Sequence, residues 1–271
     1  MTVQVESVHL YPIKASGPVT VASAAVELAG LRHDRRWAIV DPTGVRLNAT
    51  THDTLLGVTA TPDDGGALRL TAEGRPDLEV AVPVGGRSVP VDVTRLPTAI
   101  DAGDAAAEWF SALLGEPVRL VWQDDTTRRP ISASHGGQGG EPLSLADTAP
   151  LLLTSTASLA RLNEWIAADH EPQDMVMGRF RPNVVVSGDL APFVEDDWRR
   201  LHIGGVPYRF AEHCDRCVVT TIDPGTRAHG KEPIRTLARH RKWDGKTWFG
   251  IRIVPLTIGV LSVGDSVTID A

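Results

Sequence analysis

The sequence predicts a mainly β protein, a β-barrel architecture with a few flanking helices, built in two parts. Three observations point there. Short apolar, β-branched runs follow one another closely before residue 100, separated by Pro, Gly and Asp clusters. Helical patterning is confined to three segments, 104–114, 157–168 and 232–241. Strands and helices do not alternate as parallel βαβ units would require.

Taken in order, 3–11 alternates as a strand that Pro12 interrupts, leaving Tyr11-Pro12-Ile13-Lys14 as an exposed segment ending in a cation. A second strand is expected over 19–28 and a third over 37–40, with Asp41-Pro42-Thr43-Gly44 as a hairpin tip. Further strands are expected at 55–60, 67–71, 78–82 and 89–93. The helix over 104–114 has Asp101 or Asp104 to cap it and Gly115 to end it. A domain boundary is placed just before that helix, giving domains 1–100 and 101–271. A strand at 118–122 leads into 123–146, a Gly-, Ser- and Asp-rich stretch expected to be a mobile loop beside the site. Next come an apolar run at 150–153 and a helix over 157–168 capped by Thr154 or Ser155. A strand at 184–186 and a hairpin about Gly204-Gly205 follow. The β-branched run 218–222 reads as a strand, 232–241 as a basic helix, and strands at 249–254, 256–261 and 267–269 close the chain.

The bulk properties narrow the function classes. At 271 residues with 42% hydrophobic content, the chain can bury a sizeable core. A net charge of -7 gives no general attraction to nucleic acid or anionic membrane, so any anion site must be local. There is no signal-peptide core and no apolar run long enough to span a bilayer, so a soluble cytoplasmic location is the default expectation.

Both cysteines, Cys214 and Cys217, stand in one stretch, 211–224, beside His213, Asp215 and Arg216. Three readings of the thiols stay open on residues alone. A cysteine can pack as a small hydrophobe. The C-x-x-C spacing can mark a redox pair or half a zinc site, with His213 and a distant His229 or His240 completing the ligands. A single thiolate can hold a soft metal whose remaining ligands come from a cofactor. The third reading requires an anion-binding surround. Lys14, the Arg35-Arg36 pair and the Arg179/Arg181 pair are the cations at strand ends that offer one, and alternation places Arg181 and Asn183 on one side of the chain.

YPIK (11–14), DRRW (34–37), ADTAPLLLTSTASLARLN (146–163), RFRPNVVVSG (179–188), CDRCVVTTIDP (214–224) and VGDSV (263–267) occur in that order over nearly the whole chain. This combination resembles the molybdenum-cofactor sulfurase C-terminal-like (MOSC) family, including its N-terminal β-barrel domain. It is most similar to the branch holding amidoxime-reducing components and bacterial hydroxylaminopurine reductases. The resemblance implies a molybdopterin-type molybdenum cofactor between two β-rich parts. By motif position it implies Cys217 as the metal ligand and catalytic residue, with Lys14, Arg35, Thr148, Arg181, Asn183 and Asp215 on the cofactor. Binding of pyridoxal phosphate is a family-level attribute to which no residue here is matched.

The chain departs from the family pattern at four places. Ala15 and Ala149 replace small hydroxyl residues, Asp215 stands where serine is familiar, and Arg227 stands where glycine is usual. A carboxylate near an anionic cofactor needs compensation, for which Arg216 is the nearest cation in sequence. Asp215, His213 and His135 are the candidate proton donors. The implied reaction is reduction of small N-hydroxylated compounds, such as hydroxylamino-purines or amidoximes. No cysteines remain to hold an iron–sulfur cluster, so an external electron-transfer protein (a ferredoxin, flavoprotein or cytochrome b5-like protein) is expected. The rival reading is a non-enzymatic carrier of cofactor or sulfur, with Cys217 as the persulfide thiol. A third is a degenerate member that binds no cofactor.

Overall fold

A computed structural model describes residues 3–169 and 174–270. The chain is mostly strand, with three α-helices among the described residues: Asp104–Leu114, Thr156–Asp169 and Ile234–His240. The largest sheet runs in the order Val267–Ile269, Arg200–Ile203, Val206–Asp215, Lys246–Pro255, Leu151–Ser155, Val184–Ser187, Gln4–Leu10, Val19–Val21. Its neighbours pair antiparallel except Leu151–Ser155 with Val184–Ser187, a parallel pair whose crossover carries the helix Thr156–Asp169. A four-stranded sheet orders Trp37–Val40, Arg119–Trp122, Leu96–Asp101, Ser88–Val93.

The two ends of the chain are woven together. Gln4–Leu10 pairs with Val184–Ser187, and Ser23–Glu27 pairs with Gly259–Ser262. The run expected as one strand over 19–28 is therefore two, which serve different sheets. Strand pairing also crosses the expected boundary at residue 100. Arg119–Trp122 pairs with Trp37–Val40, and Trp109 and Phe110 share a buried core with Leu68, Leu70 and Val80.

Three further differences from the sequence reading have local causes. Residues 53–57 form a 3-10 turn ahead of a strand at Thr59–Pro62, rather than a strand from 55. The strand Leu96–Asp101 escaped notice because Pro97 argues against a strand and its hairpin turn, Thr94-Arg95, holds positive φ of 46° and 68° without glycine. Val218–Thr221 is a 3-10 turn and not a strand. Thr220 Oγ1 and Thr221 Oγ1 donate to Cys217 O and Val218 O, so both hydroxyls bond the turn's own carbonyls.

The helix 104–114 ends at Gly115 as expected. Its N-cap is Gly103, whose N–H donates to the Asp101 carboxylate at 2.8 Å, so neither aspartate sits at the cap itself. The next helix is capped by Ser155, whose Oγ accepts from Ser158 N–H at 3.1 Å. Residues 123–146 follow a fastened course rather than a loose loop. Arg209 grips Glu141 through Nε and Nη2, His135 Nδ1 lies 2.9 Å from Glu212, and the Arg129 guanidinium donates to the carbonyls of Thr94, Ser144 and Asp147.

Candidate functional site

Six of the seven residues singled out from the sequence line one cleft: Lys14, Arg35, Arg181, Asn183, Asp215 and Cys217. The cleft lies between the N-terminal segments 14–15, 35 and 46–49 and the C-terminal segments 146–152, 179–183, 214–220 and 252. Thr148 is not in the lining. Its hydroxyl donates to Glu212 Oε1 at 2.5 Å, which fixes the neighbouring Asp147 and Ala149 as lining residues instead.

The cation-rich side is built on backbone that few residues adopt. Ala15, Arg35 and Arg181 all have positive φ, at 73°, 49° and 56°. For Arg181 this replaces the strand alternation expected from sequence, and it is the left-handed close of the 3-10 turn Met177–Phe180. Both guanidiniums lie over the Tyr11 ring, Arg35 4.6 Å and Arg181 4.3 Å from its centre. Asn183 braces this arrangement. Its Oδ1 accepts from Arg35 at 3.0 Å and from Leu152 N–H at 3.2 Å, and its Nδ2 donates to His9 O. Both polar atoms of Asn183 are thus engaged within the protein, and Arg35 is paired with Asp34 at 2.5 Å.

Lys14 donates to Leu145 O at 2.9 Å and to Asp147 at 2.5 Å. Lys14 is buried while the Asp147 carboxylate stays 69% open to the cleft, so the pair is unequal. Burial lowers the Lys14 ammonium to about 8 despite Asp147, whereas Lys14 holds Asp147 well below the usual carboxylate range. Burial also lowers Arg181 to about 10, which leaves it charged at neutral pH.

Cys217 is exposed at the start of the 3-10 turn, and Cys214 is buried with its Sγ accepting from Arg216 at 2.7 Å. Burial pushes the Asp215 carboxyl up, but Arg252 at 3.1 Å and Lys246 at 3.6 Å outweigh it and hold it below its ordinary value. Compensation therefore comes from Arg252 and Lys246, while Arg216 turns to Cys214 and to Phe180 O. A carboxylate so held is a poor proton donor at neutral pH. The other two candidate donors stand outside the cleft lining: His135 against Glu212, and His213 among Phe210, Trp243 and Trp248. The histidines that a zinc site would need are directed elsewhere too, His229 to Asp53 and His240 onto Trp165.

Sequence reasoning missed several lining residues. Arg46 with Asn48 repeats the Arg-x-Asn spacing of Arg181 with Asn183, a signal present but unread, and both pairs face the cleft. Arg252 lay inside an apolar strand with no motif around it. Together the lining carries seven cations (Lys14, Arg35, Arg46, Arg179, Arg181, Arg216, Arg252) against the carboxylates Asp147 and Asp215. Among the described residues, no carboxylate lies within ion-pair reach of Arg46, Arg181 or Arg216. Arg179 and Arg216 each keep a buried Nε without a partner. One open thiol and an excess of guanidinium over carboxylate in the lining fit a large anionic ligand that carries a thiophilic metal.

The comparisons with known proteins agree with this chemistry. The MOSC N-terminal beta barrel domain matches residues 2–117 and the MOSC domain residues 140–268. Mitochondrial amidoxime-reducing component 1 of Homo sapiens is 32% identical over 97% of this chain and 82% of its own length. Mitochondrial amidoxime reducing component 2 of Rattus norvegicus is 32% identical over the same shares, 97% and 82%. Molybdenum cofactor sulfurase of Danio rerio is 30% identical over 96% of this chain, which spans 34% of that protein. The chain belongs to the MOSC family, with the family's N-terminal beta barrel domain ahead of its MOSC domain.

Proposed function

We propose that this chain is a molybdenum-cofactor-dependent reductase of small N-hydroxylated compounds, supplied with electrons by a separate redox protein. The observation that carries the reading is the exposed Cys217 thiol on a cleft whose cations outnumber its carboxylates seven to two. In this reading the Cys217 thiolate ligates the metal. Arg46, Arg181 and Lys14 hold the cofactor's anionic end, and Arg35 and Asn183 brace Arg181 through its carbonyl and the surrounding backbone. Arg252 and Lys246 keep Asp215 ionised and turned to themselves, so its charge is not set against the cofactor. When bound, the cofactor supplies the two-electron chemistry at nitrogen–oxygen bonds, and the chain supplies binding and orientation. The balance is R–NHOH with two electrons and two protons giving R–NH2 and water.

The test is turnover of a simple amidoxime and of 6-hydroxylaminopurine by cofactor-loaded protein with reduced methyl viologen. Wild type is expected to reduce both and Cys217→Ser neither. Exposure of Cys217 equally suits a sulfur carrier. That role predicts no turnover in either protein and a labile sulfur on the wild-type thiol alone.

A further inference from the structure

The cleft has a basic rim made by one continuous segment. Residues 227–246 hold seven of the chain's 27 Lys and Arg but two of its 34 Asp and Glu, in a protein of net charge -7. Both ends of this segment are bonded to residues flanking Cys217. Gly230 N–H donates to Thr221 O at 3.0 Å, and Arg216 N–H donates to Thr247 O at 2.8 Å. The thiol therefore sits between the start of the basic helix Ile234–His240 and the hairpin that follows it.

That hairpin pairs Lys242 with Thr247 and Trp243 with Lys246, and turns at Asp244-Gly245 with both residues at positive φ. Trp243 is 36% exposed and stacks on Trp248 with ring centres 5.5 Å apart. Val218, next to Cys217, is 58% exposed. Lys231, ahead of the helix, and Lys242 and Lys246, in the hairpin, are exposed on the same segment. Much of the segment's other charge is spent internally, Arg235 on Glu232, Arg241 on Asp196 and Lys246 on Asp215, while Lys231 and Lys242 face solvent. Exposed aromatic surface flanked by cations is the composition of a protein-binding patch, and its field favours a partner of opposite sign.

We infer that the rim formed by Lys231, Lys242 and Trp243 is the docking surface for an acidic electron-transfer protein, which delivers electrons beside Cys217. The inference rests on the reductase reading above, because that reading requires electrons from outside the chain. Nucleic acid is the other polyanion such a rim could meet. The acidic redox protein is favoured because the patch is bonded directly to the segment that bears the thiol, and because the rest of the chain repels a long polyanion.

The test uses the full chain, cofactor-loaded, with an oxidised and reduced plant-type ferredoxin as the acidic probe. The variant is Lys231→Glu with Lys242→Glu, two exposed positions outside the cleft lining. Calorimetric binding of oxidised ferredoxin at low ionic strength should weaken by at least about tenfold in the variant, and wild-type binding should fall steeply with added salt. Turnover driven by reduced ferredoxin should drop by a similar factor, while turnover driven by reduced methyl viologen stays at the wild-type rate. Ferredoxin binding that is absent, or equal in the two proteins, overturns the docking surface. So does an oligonucleotide that binds the wild type as tightly as ferredoxin does. Loss of turnover with methyl viologen in the wild type would instead defeat the reductase reading, and the binding comparison would still decide the docking surface.

Discussion

Arg252 is the charge that the cleft's far wall depends on, and replacing it with methionine should cost stability in a pH-dependent way. Its guanidinium is 11% exposed and lies 2.7 Å from Glu212 and 3.1 Å from Asp215. Removing a buried partner leaves its carboxylates uncompensated, a loss of about 3–5 kcal/mol when both charges are fully buried. Here Glu212 is 21% exposed and Asp215 39%, so water replaces part of the lost attraction, and Asp215 adds little. Glu212 also keeps Thr148 and His135. An Arg252→Met loss of about 2 kcal/mol at pH 7 follows, or roughly 3–4 °C in Tm for a chain of this size. Burial pushes Glu212 up, but Thr148, His135 and Arg252 together hold it below its unfolded value. Its stabilising contribution is therefore complete above the unfolded carboxylate pKa and is lost as pH falls through the lower folded one. Urea unfolding of wild type and variant should show the full gap at pH 7 and a much smaller one below about pH 4. A gap under about 0.5 kcal/mol at pH 7, or one that does not shrink in acid, would refute this account of the wall.

Three other outcomes follow from single residues. Arg227 sits at φ 62°, so Arg227→Gly should raise stability in urea by about 0.5–1 kcal/mol; a fall would contradict the strain argument. Burial lowers Lys14 from 10.5 to about 8, so between those pH values the unfolded chain holds a proton that the native chain has released. Wild-type stability should then rise by about 1–3 kcal/mol from pH 8 to 10 relative to Lys14→Met, and parallel curves would show that the ammonium is not desolvated. A Cβ at Gly137 would meet Ile131 O at 2.3 Å, so Gly137→Ala should cost about 1–3 kcal/mol and speed proteolysis within 123–146. Unchanged cleavage would mean the loop yields freely.

Much of the fold was legible because local signals agreed with tertiary demand. The Gly204-Gly205 hairpin, the helix 104–114 and its Gly115 stop, and the Trp37–Val40 strand all appear where pattern places them. Misreadings occurred where side chains take a backbone role that composition hides. The Val-Val-Thr-Thr run after Cys217 has strand composition, but its threonine hydroxyls bond the carbonyls of a tight turn. Thr94 and Arg95 make a hairpin turn without glycine. In the cleft, the motifs bring Lys14, Arg35, Arg181, Asn183, Asp215 and Cys217 together, but they do not tell which of these charges are already neutralised. Asp147 on Lys14 and Arg252 on Asp215 are contacts between distant strands and turns, and even the adjacent Asp34 and Arg35 do not announce their pairing in sequence. The cations without a carboxylate partner among the described residues, Arg46, Arg181 and Arg216, are visible once that pairing is known.

The most direct test of the central claim is molybdenum per chain, measured on protein from a host that makes the cofactor, in wild type and in Cys217→Ser. The account predicts near-stoichiometric metal in the wild type and its loss in the variant. Equal metal in both would contradict the ligand role of Cys217, and metal in neither would contradict the cofactor-dependent reading of the cleft.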